Sequence, residues 1–116
     1  MLHFILALAL AAPVNLRVYP KVSTAPATIR VMVIIEPDAG NRKACLSIDG
    51  EEFHSTCWQL EGAGERKVKE FTFRIGAGGE YFALLRVLKL DQNGEPHVEE
   101  VTQQFIVTEA GVPFVR

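Results

Sequence analysis

The sequence predicts an all-β fold, a seven-stranded antiparallel β-sandwich. Short segments alternate apolar and polar residues with a period of two, and Gly, Pro, Asn and Asp mark turns between them. No segment of useful length shows the 3.6-residue apolar period of a helix. With 116 residues and 48% hydrophobic content, the chain is long enough for one domain with a buried core.

The first predicted strand alternates Val14, Leu16 and Val18 with polar residues, and Pro20 after it indicates a sheet edge. Residues 22–27 read as a kinked crossover, of the kind found where a first strand passes from one sheet to the other. The seven predicted strands are residues 14–19, 28–36, 42–48, 53–60, 68–75, 80–90 and 97–108.

The sixth predicted strand organises the fold, because both of its faces are largely apolar, as expected for a central strand. It is entered through glycines and left through an Asn93-Gly94 turn. One face carries Tyr81, Ala83, Leu85 and Val87, and the other carries Phe82, Leu84, Arg86, Leu88 and Leu90. One of these two faces must therefore point away from the sandwich core.

The corner Gly78-Gly79-Glu80-Tyr81 resembles the penultimate strand of immunoglobulin-like and fibronectin type III-like sandwiches, in which a tyrosine ties down a glycine-rich corner. The resemblance covers residues 14–107 and is to small exported bacterial domains of this fold. It implies that strands one, two and five form one sheet and that strands three, four, six and seven form the other. The chain departs from antibody-type domains in lacking cysteines on strands two and six, and in carrying Trp58 on strand four.

Residues 1–12 form an apolar run that is too short to span a bilayer but suits the core of a signal peptide. Ala9-Leu10-Ala11 supplies the small-x-small pattern of a cleavage site. We therefore expect a signal peptide at 1–11, a sandwich domain at 12–108, a tail at 109–116, and a secreted or periplasmic mature protein without a membrane span. No Lys or Arg precedes the apolar run, so a start further upstream or a buried first strand is the alternative.

Cys45 and Cys57 are the two cysteines, and an even pair in an exported chain predicts a disulfide. If the apolar residues of strands three and four face the core, both cysteines face outward on the same sheet. Direct pairing requires a loop centred near Glu51, whereas a two-residue Asp49-Gly50 turn would place Cys45 opposite His54. The alternative is two free thiols in a cytoplasmic domain.

The charge balance argues against a nucleic-acid partner, because a formal net charge of -2 leaves no basic excess to neutralise phosphates. The densest basic run is Arg66, Lys67 and Lys69, and Glu65 and Glu70 flank it. This run indicates a solvated strand edge that resists edge pairing, in preference to an anion site.

The sequence contains no recognisable frame for catalysis or metal binding, such as Gly-x-Ser-x-Gly or His-Glu-x-x-His. The isolated candidates are Ser47, Ser55, His54 and His97. We therefore expect no catalytic residue, no metal and no cofactor. Asp91, Asn93 and Glu95 offer oxygen ligands to calcium, but turn chemistry at Asn93-Gly94 explains this loop better.

The excess apolar surface of the sixth strand is the most informative functional feature. We expect the outer face of its sheet to be an interface for another protein or for self-association, formed by Phe82, Leu84, Arg86, Leu88 and Ile106. The alternative is that long side chains and the tail, with Val112 and Phe114, cover this face.

Two other classes of function remain open from the sequence. A carbohydrate- or other ligand-binding accessory domain would use exposed aromatics such as Tyr19 or Trp58. An enzyme would need His54 and a serine or carboxylate brought together by the fold. The expected class is an interaction module, which rests on analogy of fold.

Overall fold

The computed structural model describes residues 14–61 and 67–109, and all of its regular elements are β-strands. The predicted signal peptide and all but the first residue of the predicted tail lie outside this range. The strands are β1 (Val14–Tyr19), β2 (Val22–Thr24), β3 (Ala27–Ile35), β4 (Asn41–Asp49), β5 (Phe53–Gln59), β6 (Lys67–Ile75), β7 (Gly79–Leu90) and β8 (Pro96–Thr108).

The strands form two sheets, one with the order β1-β3-β6 and the other with the order β2-β8-β7-β4-β5. The prediction of a β-sandwich is therefore confirmed. The predicted division of the longer strands is confirmed as well, because β1, β3 and β6 share one sheet while β4, β5, β7 and β8 share the other. β7 lies between β4 and β8 and is paired along its length, as expected for a central strand.

The expectation of seven strands, all antiparallel, is wrong in one respect. Val22–Thr24 forms an additional strand, β2, which pairs in parallel with the end of β8. Backbone hydrogen bonds from Ala25 N to Thr108 O (2.7 Å) and from Ile106 N to Lys21 O (2.8 Å) hold it there. β2 has no buried apolar residue to mark it, since Val22 and Thr24 are exposed and Ser23 is half-buried. The predicted crossover between sheets nevertheless occurs at this point.

One apolar core lies between the two sheets and receives side chains from both. Ile29 and Val31 come from the three-stranded sheet, and Leu46, Ile48 and Leu85 come from the five-stranded sheet; all are fully buried. Burying apolar side chains of this size stabilises a fold by about 1.5–3 kcal/mol each. The core thus places the odd-numbered residues of β7 inside and leaves its even-numbered residues to the outer face of the larger sheet.

Candidate functional site

The outer face of the five-stranded sheet carries the predicted interface residues on β7. Phe82 is 44% exposed, Leu84 and Leu88 are half-buried, and Arg86 is exposed. Ile106 on β8 belongs to the same face, because it pairs with Glu80 in the register that places even-numbered β7 residues outward. The structure therefore brings the five predicted residues onto one face.

Neighbouring strands enlarge this apolar surface. Asp49 lies between Phe53 and Phe82 in the register, so the two phenylalanines flank it on β5 and β7. Leu88 pairs with Val98 on β8. Phe53 is 65% exposed and Val98 is 51% exposed. We call the surface formed by Phe53, Phe82, Leu84, Leu88 and Val98 the outer-face patch.

The middle of the outer-face patch holds two defined contacts. Cys45 and Cys57 are directly paired in the β4–β5 register and form the predicted disulfide, with their Cα atoms 4.0 Å apart. Arg86 lies beside Cys45 and donates from Nε to Glu100 Oε2 at 2.9 Å. Exposed ion pairs of this kind contribute little stability. The Arg86–Glu100 pair instead adds a directional polar group to the apolar patch, as at the contact surfaces of proteins.

The Tyr81 corner closes one end of the sandwich. Its hydroxyl donates to Ala77 O at 2.6 Å, which is the contact of a tyrosine corner, and its ring stacks on Phe105 at 5.3 Å. Glu52 accepts from Gly76 N at 2.7 Å and from Ala77 N at 2.8 Å. The Tyr81 hydroxyl and the Glu52 carboxylate thus hold the glycine-rich corner by hydrogen bonds, so the role of the corner is structural.

The histidine and serine candidates are not brought together for catalysis. His54 lies on the inner side of β5, with Nε2 3.2 Å from Glu52 Oε1 and its ring 5.7 Å from Phe73. Ser55 and Ser47 pair with each other on the opposite, outer face. His97 Nε2 lies 3.9 Å from Glu99 Oε2 at the other end of the molecule.

The calcium candidate is a turn. Asp91 Oδ1 accepts from Asn93 N at 2.8 Å and from Glu95 N at 2.9 Å, and Gly94 has a positive φ of 80°. The carboxylate is therefore engaged by its own loop. Within residues 14–61 and 67–109, no three His, Cys, Asp or Glu side chains are grouped so as to hold a metal ion.

Sequence reasoning missed a buried lysine. Lys89 is 3% exposed and places Nζ 3.2 Å from Asp38 Oδ2 and 3.8 Å from Glu99 Oε1. A hydrogen bond from Gly40 N and then the Lys89 ammonium hold the pKa of Asp38 below its ordinary value. The sequence pattern could have revealed this pair. Lys89 follows Tyr81 to Val87 at the odd-numbered, inward-facing positions of β7, and Glu99 shares the inward-facing side of β8 with Val101.

Lys89 lines a polar cleft of about 720 Å³ between the β3–β4 and β7–β8 loops. Arg42 and Asp91 lie on the same walls. Positive and negative side chains balance there, and the carboxylates of Asp38 and Asp91 already accept hydrogen bonds from their own loops. A buried charge is stable only when it is paired. The polar groups of the cleft are therefore explained by the need to pair the buried Lys89 ammonium.

The two aromatic candidates for sugar binding differ in exposure. Trp58 is half-buried against the core, 5.1 Å from the Phe71 ring, and Lys69 Nζ lies 5.3 Å from its centroid. It therefore bridges the two sheets and is not a flat exposed platform. Tyr19 is 68% exposed on the outer face of the smaller sheet.

The fold and this surface define a β-sandwich domain with an apolar outer sheet face. It is similar to a crystal structure of the CARDB domain of a Pyrococcus furiosus protein in complex with di-metal ions. The TM-score is 0.50 at 20% identity, over 83% of this chain and 92% of that chain. No protein-family model matches the chain, and no curated protein matches it. At 20% identity, this likeness concerns the fold alone. In the described parts of the chain, no helix has the length and hydropathy needed to cross a membrane.

Proposed function

We propose that the protein is an exported, non-enzymatic interaction module that binds a partner protein through the outer-face patch. The observation that carries this proposal is the exposure of Phe53, Phe82 and Val98 on the sheet face that also carries the half-buried Leu84 and Leu88. Exposed apolar side chains grouped on one face in this way mark contact sites on proteins. The partner has an apolar contact surface with polar groups that complement Arg86 and Glu100.

We also infer that the sandwich is of the immunoglobulin-like type. The tyrosine corner at Tyr81 and the sheet switch at β2 support this inference. The absence of catalytic function is inferred from the separation of His54 from Ser47 and Ser55 on opposite faces of the sheet.

The interface is tested by photocrosslinking followed by mutation. A photoreactive amino acid at Phe82 should capture a partner in the extracytoplasmic fraction of the producing cell, whereas the same group at Arg17, on the outer face of the other sheet, should not. Leu84→Asp should then weaken binding of the purified partner by about 30-fold, the effect of a contact worth about 2 kcal/mol.

The matched control is Met32→Asp. Met32 is also half-buried and faces outward on the central strand of the smaller sheet. It should leave binding unchanged, and both variants should be compared for thermal unfolding. Capture at Arg17 equal to that at Phe82, or full binding by a folded Leu84→Asp variant, would refute the proposal. So would a wild-type protein that associates only with itself through this face.

Export is the part of the proposal that the disulfide supports, because structural disulfides form in oxidising compartments. The chain expressed in a bacterium should be recovered from the periplasm starting at Ala12. Its intact mass should rise on reduction by the two hydrogens taken up by Cys45 and Cys57. A cytoplasmic species that retains Met1 and free thiols would contradict export.

A further inference from the structure

Within residues 14–61 and 67–109, the two sheets have four edge strands, which differ in how well they are protected against pairing with another chain. Three carry the features that blunt an edge. β2 has only three residues and lies between Pro20 and Pro26, while β1 carries Arg17 and runs into Pro20. β6 carries Lys67, Lys69, Glu70 and Arg74. Lys69 also turns inward over the Trp58 ring, an arrangement that discourages pairing.

β5 lacks this protection. Its seven residues, Phe53–Gln59, contain no Lys, Arg, Asp, Glu or Pro and include Phe, Thr and Trp, which favour strands. It borders β4 on one side and ends the order of the five-stranded sheet on the other. An uncharged edge strand of this length offers a template for a further strand.

The backbone groups at this open edge can be assigned. Leu60 N donates to Arg42 O at 2.9 Å, so this even-numbered residue points its amide toward β4. Amide direction alternates along an antiparallel strand. The N–H and C=O groups of the odd-numbered residues therefore face the open edge, and these residues are Phe53, Ser55, Cys57 and Gln59. The short 4.0 Å Cα distance between Cys45 and Cys57 agrees, since pairs without ladder hydrogen bonds are the closer ones.

The Cys45–Cys57 disulfide fixes the middle of β5 to β4. The open groups on Ser55 and Cys57 are therefore held in an extended line before any partner arrives. Such pre-organisation lowers the conformational cost of adding a strand.

We propose that a second copy of this chain pairs with the open edge of β5, antiparallel and about a two-fold axis at Thr56. This register places Phe53 opposite Gln59 and Ser55 opposite Cys57 of the other copy. The four open residues of each strand then form about eight backbone hydrogen bonds. No charged side chain within either strand meets a like charge, because β5 carries none. The product is one continuous sheet across both copies.

Ser55→Pro tests the pairing. Proline at this position removes an N–H that faces the open edge while leaving the β4–β5 bonds in place, which edge strands tolerate. Light scattering and sedimentation of the oxidised, full-length protein should show a concentration-dependent dimer between about 1 µM and 1 mM. Ser55→Pro should remain monomeric throughout. Ser55→Ala, which keeps the N–H, should dimerise like the wild type.

Two further measurements separate the possible outcomes. Leu84→Asp should keep the dimer, because the outer-face patch is not the β5 edge; loss of the dimer in this variant would overturn the edge proposal. Amide exchange of Ser55, Cys57 and Gln59 in the wild-type protein should slow with increasing concentration, a readout that does not depend on how the proline variant folds. Three results would each overturn the proposal: a wild-type protein that is monomeric at about 1 mM, a dimer that persists in Ser55→Pro, or amide exchange rates that do not change with protein concentration. Dimer-free protein that binds an extended peptide at β5 would also overturn it, in favour of another occupant.

Discussion

Tyr81 acts on two parts of the molecule at once. Its ring stacks on Phe105 within the core, and its hydroxyl fixes the corner through Ala77 O. Burial and then the nearby Glu52 carboxylate raise the pKa of Tyr81. The hydroxyl therefore stays protonated, and able to donate, across the whole neutral range.

Tyr81→Phe should lower the free energy of unfolding by about 0.5–1.5 kcal/mol, because the ring remains but one hydrogen bond is lost. Urea unfolding at neutral pH measures the change. Tyr19→Phe is the matched control, since Tyr19 is 68% exposed and its loss of a hydroxyl should change stability by less. Equal effects of the two substitutions would mean that the corner bond contributes nothing measurable.

Glu52 gives the corner a dependence on pH. The hydrogen bond with His54 and then those from the Gly76 and Ala77 amides lower its pKa. A lowered pKa in the folded state adds stability at pH values above the unfolded-state pKa, about 4.3, and this contribution is lost as pH falls through the folded-state value. At neutral pH the contribution is fully present.

Glu52→Gln should therefore lower the urea midpoint at pH 7, and the gap from wild type should narrow as the pH falls below about 4. Glu51→Gln removes the neighbouring charge and leaves the Glu52 contacts in place, so it serves as the control. A gap that is the same at pH 7 and pH 2.5, or a gap equal to that of the control, would contradict this assignment.

At the scale of the elements, the β4–β5 hairpin shows what sequence could and could not determine. Asp49-Gly50 suggests a two-residue turn, but Asp49 pairs with Phe53, so the loop has three residues centred on Glu51. The two-residue turn would have shifted the register by three residues, placing His54 opposite Cys45 and turning Trp58 outward. Burial of Trp58 therefore selects the longer loop. Gly50 is required for a different reason. A Cβ on Gly50 would lie 2.5 Å from the Tyr81 ring.

The disulfide is expected to stabilise this hairpin through the unfolded state. It closes a loop with a sequence separation of 12 residues. The chain-entropy model gives about 3 kcal/mol for a loop of this size. The double variant Cys45→Ala/Cys57→Ala should therefore lose about 2–3 kcal/mol in denaturant unfolding, and reduction of the wild-type protein should have a similar effect. Stability that is unchanged by both treatments would show that β4 pairing alone fixes β5.

The sequence predicted strands correctly where one face of the strand carries buried apolar residues. It missed a strand that has no buried apolar residue. β1, β3 and β6 repeat an alternation that follows the core, and their sheet could be assigned by resemblance. β2 has no buried apolar residue to mark it, and its pairing with β8 defines it. The outer-face patch was predicted on β7 for a related reason, because a central strand with two apolar faces must expose one of them. Its extension to Phe53 and Val98 needed the register.

At the scale of the whole molecule, the two sheets share one core and should unfold together. Trp58 on β5 contacts Phe71 on β6, so its fluorescence reports the separation of the sheets. Far-ultraviolet circular dichroism reports the strands of both sheets. Small domains with a single core unfold in one transition. The two signals should therefore give the same urea midpoint.

A core substitution in either sheet should move both signals by the same amount. Leu46 and Ile29 are fully buried on opposite sides of the core. Leu46→Ala should cost about 2–5 kcal/mol and Ile29→Val about 0.5–1.5 kcal/mol. Oxidised protein should be used throughout, so that the disulfide is constant. If Ile29→Val shifted only the dichroism and left the Trp58 transition in place, the sheets would be separate folding units.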